Sequence, residues 1–232
     1  MKVHRLGDGG SHDVPVAVTL GTFDGVHLGH QEVLGRTVRE ARRRGIAAAV
    51  VTFIGHPAQV LRPESAPLLL TTLDDRLGLI GECGIDVAFL IDFDEVVAQR
   101  TALEFTKTVL IGQVGAEVLI VGHDLHFGNR REGNLAFLQE MRPDHGLDVI
   151  GVDAVREMPL TLESISSTAI RRALQGGEVA HAARMLGRPY QVSGEVIHGE
   201  QRGRTLGFPT ANIPIAQDRV WPSDGVYAGW LE

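Results

Sequence analysis

Short apolar runs alternate with amphipathic stretches from residue 15 to about residue 175. The runs are rich in β-branched residues, which is typical of strands buried on both faces. The stretches between them repeat apolar residues at helical spacing. This alternation predicts an α/β fold, a parallel sheet with helices on both faces. We expect strands at residues 16–20, 47–53, 87–91, 117–121 and 147–152, and helices within residues 31–45, 71–84, 101–110, 134–141, 166–174 and 178–186.

The pattern changes after residue 186, where the sequence GRPY marks a boundary. Beyond it, polar and apolar residues alternate without intervening helices, which predicts strands at 191–197, 210–215 and 226–231. We therefore expect a first domain over residues 1–186 and part of a β-barrel domain over residues 187–232. So few strands cannot close a barrel, so we also expect that this second domain is cut short.

Composition and charge narrow the classes of function. With 44% hydrophobic and 22% charged residues, the chain is typical of a globular protein. Its net charge of −7 (22 − 29) gives no broad basic field, so we expect no nucleic-acid partner. A single cysteine, Cys83, excludes an internal disulfide and fits a reducing compartment, so we expect a cytoplasmic protein. No apolar run approaches the ~18 residues of a membrane-spanning helix, so we expect no membrane partner.

The strongest candidate for chemistry is LGTFDGVHLGH, residues 20–30, between the first strand and the first helix. Gly21 and Gly25 permit close approach to the backbone, and His27 and His30 share one face of a first helical turn. A helix N-terminus with two imidazoles is suited to phosphate. A zinc site is the weaker alternative, because no third ligand follows at tight spacing.

Two more segments favour a phosphate ligand when they are combined with the first. In residues 165–174, Ser167 or Thr168 is a suitable N-cap, and Arg171 lies one turn into the helix. Plain capping with a solvated arginine is the alternative. In residues 121–134, Asp124 follows the fourth strand at the edge where open α/β sheets bind ligands. Its alternative is an ordinary polar connection.

Two further segments carry weaker signals. TFIGHP ends the second strand, and its His56 and Pro57 are expected to line a ligand at the same sheet edge. In GRTLGFPTANI, residues 203–213, Thr210 and Asn212 alternate onto one side of an extended segment. Their two oxygens suit a hard cation such as Mg2+, although an ordinary hairpin explains them equally well.

Taken together, these motifs resemble one family. GTFDGVHLGH, TFIGHP, GHDLHFG, SSTAIR and GFPTANI occur in the order seen in bacterial bifunctional riboflavin kinase/FMN adenylyltransferases, also called FAD synthetases. The resemblance implies a Rossmann-like nucleotidyltransferase domain that makes FAD from FMN and ATP. It also implies a β-barrel kinase that makes FMN from riboflavin and ATP, with Mg2+ used in both steps. It places the kinase's general base downstream of residue 232, so we expect doubtful kinase activity in this chain.

The resemblance also assigns residues. Those implied to be catalytic are His27, His30 and Arg171. Those implied to bind ATP are Gly21, Phe23, Asp24, Gly29, Asp124, Ser167 and Thr168. His56, Pro57 and Phe127 are implied to bind the flavin, and Thr210 and Asn212 to bind the metal.

Two residues depart from the family pattern within the first domain, Gly55 in place of proline and Leu125 in place of an aromatic residue. Two other functions stay open. One is another nucleotidyltransferase, for a cytidylyl group or phosphopantetheine, and the other is a flavin- or nucleotide-binding protein without turnover. The expected partners are small-molecule substrates, and homo-oligomer formation stays open.

Overall fold

A six-stranded parallel sheet forms the centre of the protein. The computed structural model describes residues 1–7, 12, 14–155, 164–199, 207–208 and 210–231, and only the backbone of residues 142–145. The strand order is β1-β4-β3-β2-β5-β6, and every pair is parallel. The strands are β1 (Lys2–Leu6), β2 (Val16–Leu20), β3 (Ala47–Phe53), β4 (Val87–Ile91), β5 (Ala116–Gly122) and β6 (Asp148–Val152).

The five predicted strands are confirmed, to within one residue at their ends. β2 and β4 are buried along their whole length, which explains why they appear in the sequence as unbroken apolar runs. The first strand, β1, was missed. Its sequence KVHRL is mostly exposed along one edge of the sheet, so it lacks the apolar signal of the inner strands.

Helices cover both faces of the sheet, which confirms the predicted fold class. The helices are α1 (Leu28–Arg44), α2 (Ala58–Leu61), α3 (Leu73–Glu82), α4 (Glu95–Gln99), α5 (Ala102–Glu104), α6 (Leu135–His145), α7 (Ser167–Gln175) and α8 (Val179–Leu186). One predicted helix differs in type, because Phe105–Gln113 continues α5 as a π-helix. Val114 N–H donates to the Val109 carbonyl five residues back, and apolar spacing over two turns cannot distinguish this from an α-helix.

An ion-pair network joins the end of α1 to the amino ends of two strands. Arg44 donates to Glu40, Glu117 and Asp148 over 2.8, 3.2 and 2.8 Å. Glu40 is buried and also pairs with Arg43 at 2.6 Å. The hydrogen bonds from these two guanidinium groups lower the pKa of Glu40 from 4.5 to about 2. Arg43 and Arg44, in the last turn of α1, therefore do more than complement the helix dipole.

We expect Glu40→Gln to lower the melting temperature at pH 7. The shift should be about 2–4 °C for each kcal/mol by which the free energy of unfolding falls. A carboxylate with a depressed pKa stabilises the fold above pH 4.5, and this contribution disappears as the pH falls towards about 2. The difference in melting temperature between the wild type and the variant should therefore be smaller at pH 3 than at pH 7. Thermal unfolding followed by circular dichroism at pH 7 and pH 3 tests this, and equal melting temperatures at pH 7 would contradict it.

Beyond residue 186 the described residues do not form the three predicted strands. Residues 191–197, 210–215 and 226–231 have no regular secondary structure apart from one isolated antiparallel bridge between Ile197 and Asn212. A strand needs a continuous ladder and a buried face, and here side chains such as Trp230 and Ile215 are exposed. One stretch does pack against residues of the preceding α/β part of the chain, since Val220 is fully buried and its N–H donates to the Leu69 carbonyl at 2.9 Å.

Candidate active site

A cleft of about 850 Å³ opens at the carboxyl ends of the parallel strands. β3 and β4 lie on one side of β2, and β5 and β6 lie on the other side. In open α/β sheets, ligands bind at the point where the strand order reverses in this way. Loops following five of the strands contribute to its wall. Nine of the residues assigned from the sequence line it: Gly21, Phe23, His27, Gly29, His30, His56, Pro57, Asp124 and Phe127.

The turn between β2 and α1, residues 21–27, is held in a strained conformation. Phe23 and Val26 are buried and have φ of 50° and 39°, in the left-handed region that a β-branched residue such as Val26 rarely adopts. Gly25 has φ 83°, and a Cβ there would lie 2.7 Å from Leu70 Cδ1. Backbone of this kind persists only where the surroundings over-determine it, and it concentrates at functional sites.

The structure brings the two motif histidines together, as their spacing predicted. His27 is the N-cap of α1, and its Nδ1 accepts from the His30 backbone N–H at 3.3 Å. The two rings stack with their centroids 3.6 Å apart. His30 Nδ1 is buried and has no hydrogen-bond partner among the described residues. The two rings line the cleft next to a helix N-terminus, and His30 keeps one buried ring nitrogen without a described partner.

Both imidazoles are neutral near pH 7. Burial lowers the pKa of His27 from 6.5 to about 4, partly opposed by the carboxylates of Asp124 and Asp24. Burial, and then the neighbouring His27, also hold the pKa of His30 well below 6.5. Without a ligand the pair therefore offers neutral N–H donors rather than positive charge.

We expect an NMR titration to show the His27 imidazole protonating near pH 4. Because this pKa is depressed, the neutral ring favours the folded state above pH 6.5, and the advantage is lost as the pH falls towards 4. Asp124→Asn should lower the midpoint further, since the Asp124 carboxylate raises this pKa. A His27 midpoint at or above 6.5 would contradict the burial argument.

Asp24 does not line the cleft but joins the turn at residues 21–27 to the loop at residues 68–72. Its carboxylate accepts from the backbone N–H groups of Leu70 and Thr71 and from the Thr71 hydroxyl, at 3.0–3.1 Å. It also pairs with Arg171, and the two side chains are only 1% and 12% exposed. The direct ATP contact expected of Asp24 is therefore unavailable in this arrangement, since its oxygens are already occupied.

The start of α7 differs from the sequence prediction. Its N-cap is Ser166, whose Oγ accepts from the Ala169 N–H at 3.2 Å, and neither Ser167 nor Thr168 fills that position. The reason is backbone geometry, because Ser166 alone is extended while Ser167 already lies in the helix. Ser167 instead donates to the Asp24 carbonyl at 2.9 Å, and Thr168 is exposed outside the cleft lining.

Arg171 lies with Asp24 and not at the cleft surface. Besides that ion pair, its Nε donates to the Leu68 carbonyl at 2.6 Å. It would have to leave at least one of these partners to reach a phosphate. In this state its described contacts join α7 to the turn and to the loop at residues 68–72.

The other half of the cleft is aromatic and apolar. Phe53 and Phe93 meet edge to face with centroids 5.5 Å apart, and Phe105 and Phe127 are separated by 5.8 Å. Leu125 lies among them where the family resemblance expected an aromatic ring. The cleft thus pairs a phosphate-sized polar end with a wall suited to a flat ring system.

Comparisons with known proteins agree with these features. Residues 10–169 match the family model described as FAD synthetase. The chain belongs to the FAD synthetase family. Residues 186–232 of this family member match a second model, described as riboflavin kinase. The resemblance deduced from the sequence motifs is thereby confirmed.

Relatives of this FAD synthetase family member carry both names. Proteins named bifunctional riboflavin kinase/FMN adenylyltransferase are 38% identical in Escherichia coli K12 and 39% identical in Haemophilus influenzae. Each comparison covers 91% of this chain, and 66% and 68% of the respective relative. The chain spans about two thirds of the length of the curated relatives it matches. A solved structure described as a macrolide-efflux protein from Streptococcus pneumoniae has a TM-score of 0.84 at 31% identity, covering 98% of this chain and 73% of its own.

Arg76 is a residue of the site that the sequence reasoning missed. It is 3% exposed and donates to the backbone carbonyls of Thr22 (2.9 Å), Phe53 and Ile54 (3.3 Å). It thereby ties the turn at residues 21–27, the histidine turn, to the loop after β3. The signal was present, because Arg76 occupies the apolar stripe of α3 formed by Leu73, Leu77 and Ile80, where a charge must find a specific partner.

Thr210 and Asn212 lie apart from this cleft. Both are exposed, and Asn212 forms an isolated bridge to Ile197. Among the described residues no group of three or more His, Cys, Asp or Glu side chains is arranged to hold a metal. The metal role of Thr210 and Asn212 therefore stays a prediction, since Mg2+ commonly binds through substrate phosphates and water with few protein ligands. The Pro209 of the same motif lies outside the described residues.

Proposed function

We propose that this chain transfers the adenylyl group of ATP to FMN, forming FAD and pyrophosphate. The observation that carries the proposal is one cleft with two contrasting ends. At one end, stacked neutral imidazoles lie at a helix N-terminus, and at the other, Phe53, Phe93, Phe105 and Phe127 form an apolar wall. A substrate pair with a polyphosphate and a flat heteroaromatic ring fits both ends.

The reaction needs little acid–base chemistry from the protein. An oxygen of the FMN phosphate attacks the α-phosphorus of ATP, a new P–O bond forms, and the bond to the leaving pyrophosphate breaks. A phosphate is already a nucleophile at pH 7, so positioning and charge stabilisation dominate. His27 and His30 donate N–H groups to the phosphate oxygens, and the N-terminus of α1 adds its dipole.

Magnesium belongs to the substrate in this proposal. The Asp24 carboxylate is fully engaged by Leu70, Thr71 and Arg171, so it does not supply metal ligands in this conformation. Mg2+ commonly reaches such sites on the phosphates of ATP, with few protein ligands. The proposed substrate is therefore MgATP, and no step is assigned to an ion held by the protein.

We further propose the division into residues 1–186 for adenylyl transfer and 187–232 for a segment of the kinase domain. The family matches at 10–169 and 186–232 support it. The expected partners are ATP, FMN and riboflavin, without nucleic acid or membrane, in the cytoplasm. No helix among the described residues is both long and apolar enough to cross a membrane.

The deciding experiment is an assay of the purified chain with ATP, Mg2+ and either FMN or riboflavin, with products separated by chromatography. We expect FAD and pyrophosphate from FMN. We expect no FMN from riboflavin, because Thr210 and Asn212, the residues implied to bind the kinase's metal, are exposed. Folded protein that makes no FAD at saturating substrates contradicts the proposal. Turnover with CTP in place of ATP would favour another nucleotidyltransferase.

A further inference from the structure

Arg188, two residues after the end of α8, reaches back to the histidine turn. Arg188 Nη2 donates to the Gly25 carbonyl at 2.8 Å, and its Nη1 donates to the Val26 carbonyl at 3.2 Å. Nη1 also lies 3.3 Å from the Leu186 carbonyl. Arg188 belongs to the residues that match riboflavin kinase, whereas Gly25 and Val26 belong to those that match FAD synthetase.

The carbonyls that Arg188 holds belong to the strained part of the turn. Val26 is buried with φ 39° and directly precedes His27, so its conformation fixes where the His27 ring begins. Such a conformation costs of order 1–3 kcal/mol and reverts unless contacts hold it. Arg188 supplies such a contact, as does Gln31, whose Nε2 donates to the Val26 carbonyl at 2.9 Å, and neither residue lines the cleft.

The junction that carries Arg188 is itself fixed against the start of α1. Gly187 ends α8 with φ 74°, and a Cβ there would come within 2.7 Å of Leu28 Cδ2. Gln31 Nε2 also donates to the Leu186 carbonyl at 2.9 Å. The half-buried guanidinium makes no ion pair with the described residues, and burial lowers its pKa. Its described hydrogen bonds all go to main-chain carbonyls, those of Gly25, Val26 and Leu186.

We propose that Arg188 is a positioning residue for adenylyl transfer, holding the strained Gly25–Val26 backbone so that His27 faces the substrate phosphates. This inference rests on the proposed function. It means that a residue at the start of the kinase segment helps to build the neighbouring active site. Displacing the junction at residues 187–190 would therefore change FAD synthesis without touching any residue that lines the cleft.

The test compares Arg188→Met and Arg188→Lys with Arg36→Met, a matched change at an exposed arginine of α1 outside the cleft. We expect Arg188→Met to lower kcat/KM for FAD synthesis by about 10- to 100-fold, because a displacement of about 1 Å at reacting groups costs up to about 100-fold. Arg188→Lys should retain only part of the wild-type kcat/KM, since a single ammonium group cannot reproduce the two-pronged hydrogen bonding of the guanidinium. Arg36→Met should match the wild type.

A spectroscopic measurement separates positioning from general stability. The His27 and His30 rings stack at 3.6 Å, so small displacements should shift the His27 imidazole resonances of folded Arg188→Met. A Val26→Gly background should reduce the loss on Arg188→Met, because glycine adopts positive φ without strain. Wild-type kinetics and wild-type His27 resonances in Arg188→Met would overturn the inference, as would an equal loss in both backgrounds.

Two further outcomes are also decisive. If Arg188→Met does not fold, Arg188→Lys decides, and wild-type kcat/KM together with wild-type His27 resonances in that variant overturns the inference. If the wild-type chain makes no FAD, the proposed function fails. The His27 resonances of folded Arg188 variants then still show whether Arg188 holds the turn.

Discussion

His30→Ala should reduce kcat for FAD synthesis by about 100- to 1000-fold, equivalent to about 2.7–4 kcal/mol of transition-state stabilisation. The neutral His30 ring packs against His27 and keeps a buried Nδ1 without a described partner. The ring lines the cleft next to the N-terminus of α1, where it is held in place to donate to a substrate phosphate. Removing one such donor is costly because nothing else is fixed in its place. Steady-state kinetics with varied ATP and FMN would measure the loss.

The matched control is His198→Ala, which removes an exposed histidine outside the cleft. It should leave FAD synthesis unchanged. His30→Ala must also melt as cooperatively as the wild type, so that lost turnover is not lost folding. A folded His30→Ala protein with wild-type kcat would remove this residue from the mechanism.

Asp24→Ala should destabilise the fold by about 3–5 kcal/mol, the usual cost of leaving one member of a buried ion pair alone. The variant strands the Arg171 guanidinium, which is only 12% exposed, and frees the N–H groups of Leu70 and Thr71. Urea unfolding at pH 7 would measure the change. The loop at residues 68–72 should loosen with it, because the Asp24 carboxylate accepts hydrogen bonds from Leu70 and Thr71 of this loop.

The double variant Asp24→Ala/Arg171→Met provides the control. Removing the stranded charge should restore part of the loss, so the two single effects should be non-additive by about 0.5–3 kcal/mol. Strict additivity would mean that the two side chains act independently. The observed ion pair would then contribute nothing through its own coupling.

The sheet could be predicted because its inner strands are buried on both faces, which turns each into an uninterrupted apolar run. The exposed edge strand Lys2–Leu6 carries no such run and was missed. The three strands expected after residue 186 failed for a different reason. Alternation describes how a strand could pack, but a strand also needs a partner ladder, and the described residues there provide one isolated bridge between Ile197 and Asn212.

The site was predicted less completely than the sheet. Local spacing was enough to place His27 and His30 together, because both lie within one helical turn. It could not show that Asp24 and Arg171 pair with each other, since that contact spans 147 residues. The same limit hid Arg188, which acts through carbonyls 162 and 163 residues away. Long-range contacts of this kind leave no period in the sequence.

The strand order also sets when the site comes into existence during folding. Val16 of β2 pairs on one side with Ala47 and on the other with Ala116, which emerges from the ribosome much later. A nascent chain that has completed only β2, β3 and β4 holds the histidine turn without the wall that follows β5. Strands so far apart in sequence pair slowly, because the entropy cost of closing the long loop comes before the contacts that offset it. Nucleotide affinity should therefore arise late, and added nucleotide would stabilise the completed sheet over its intermediates.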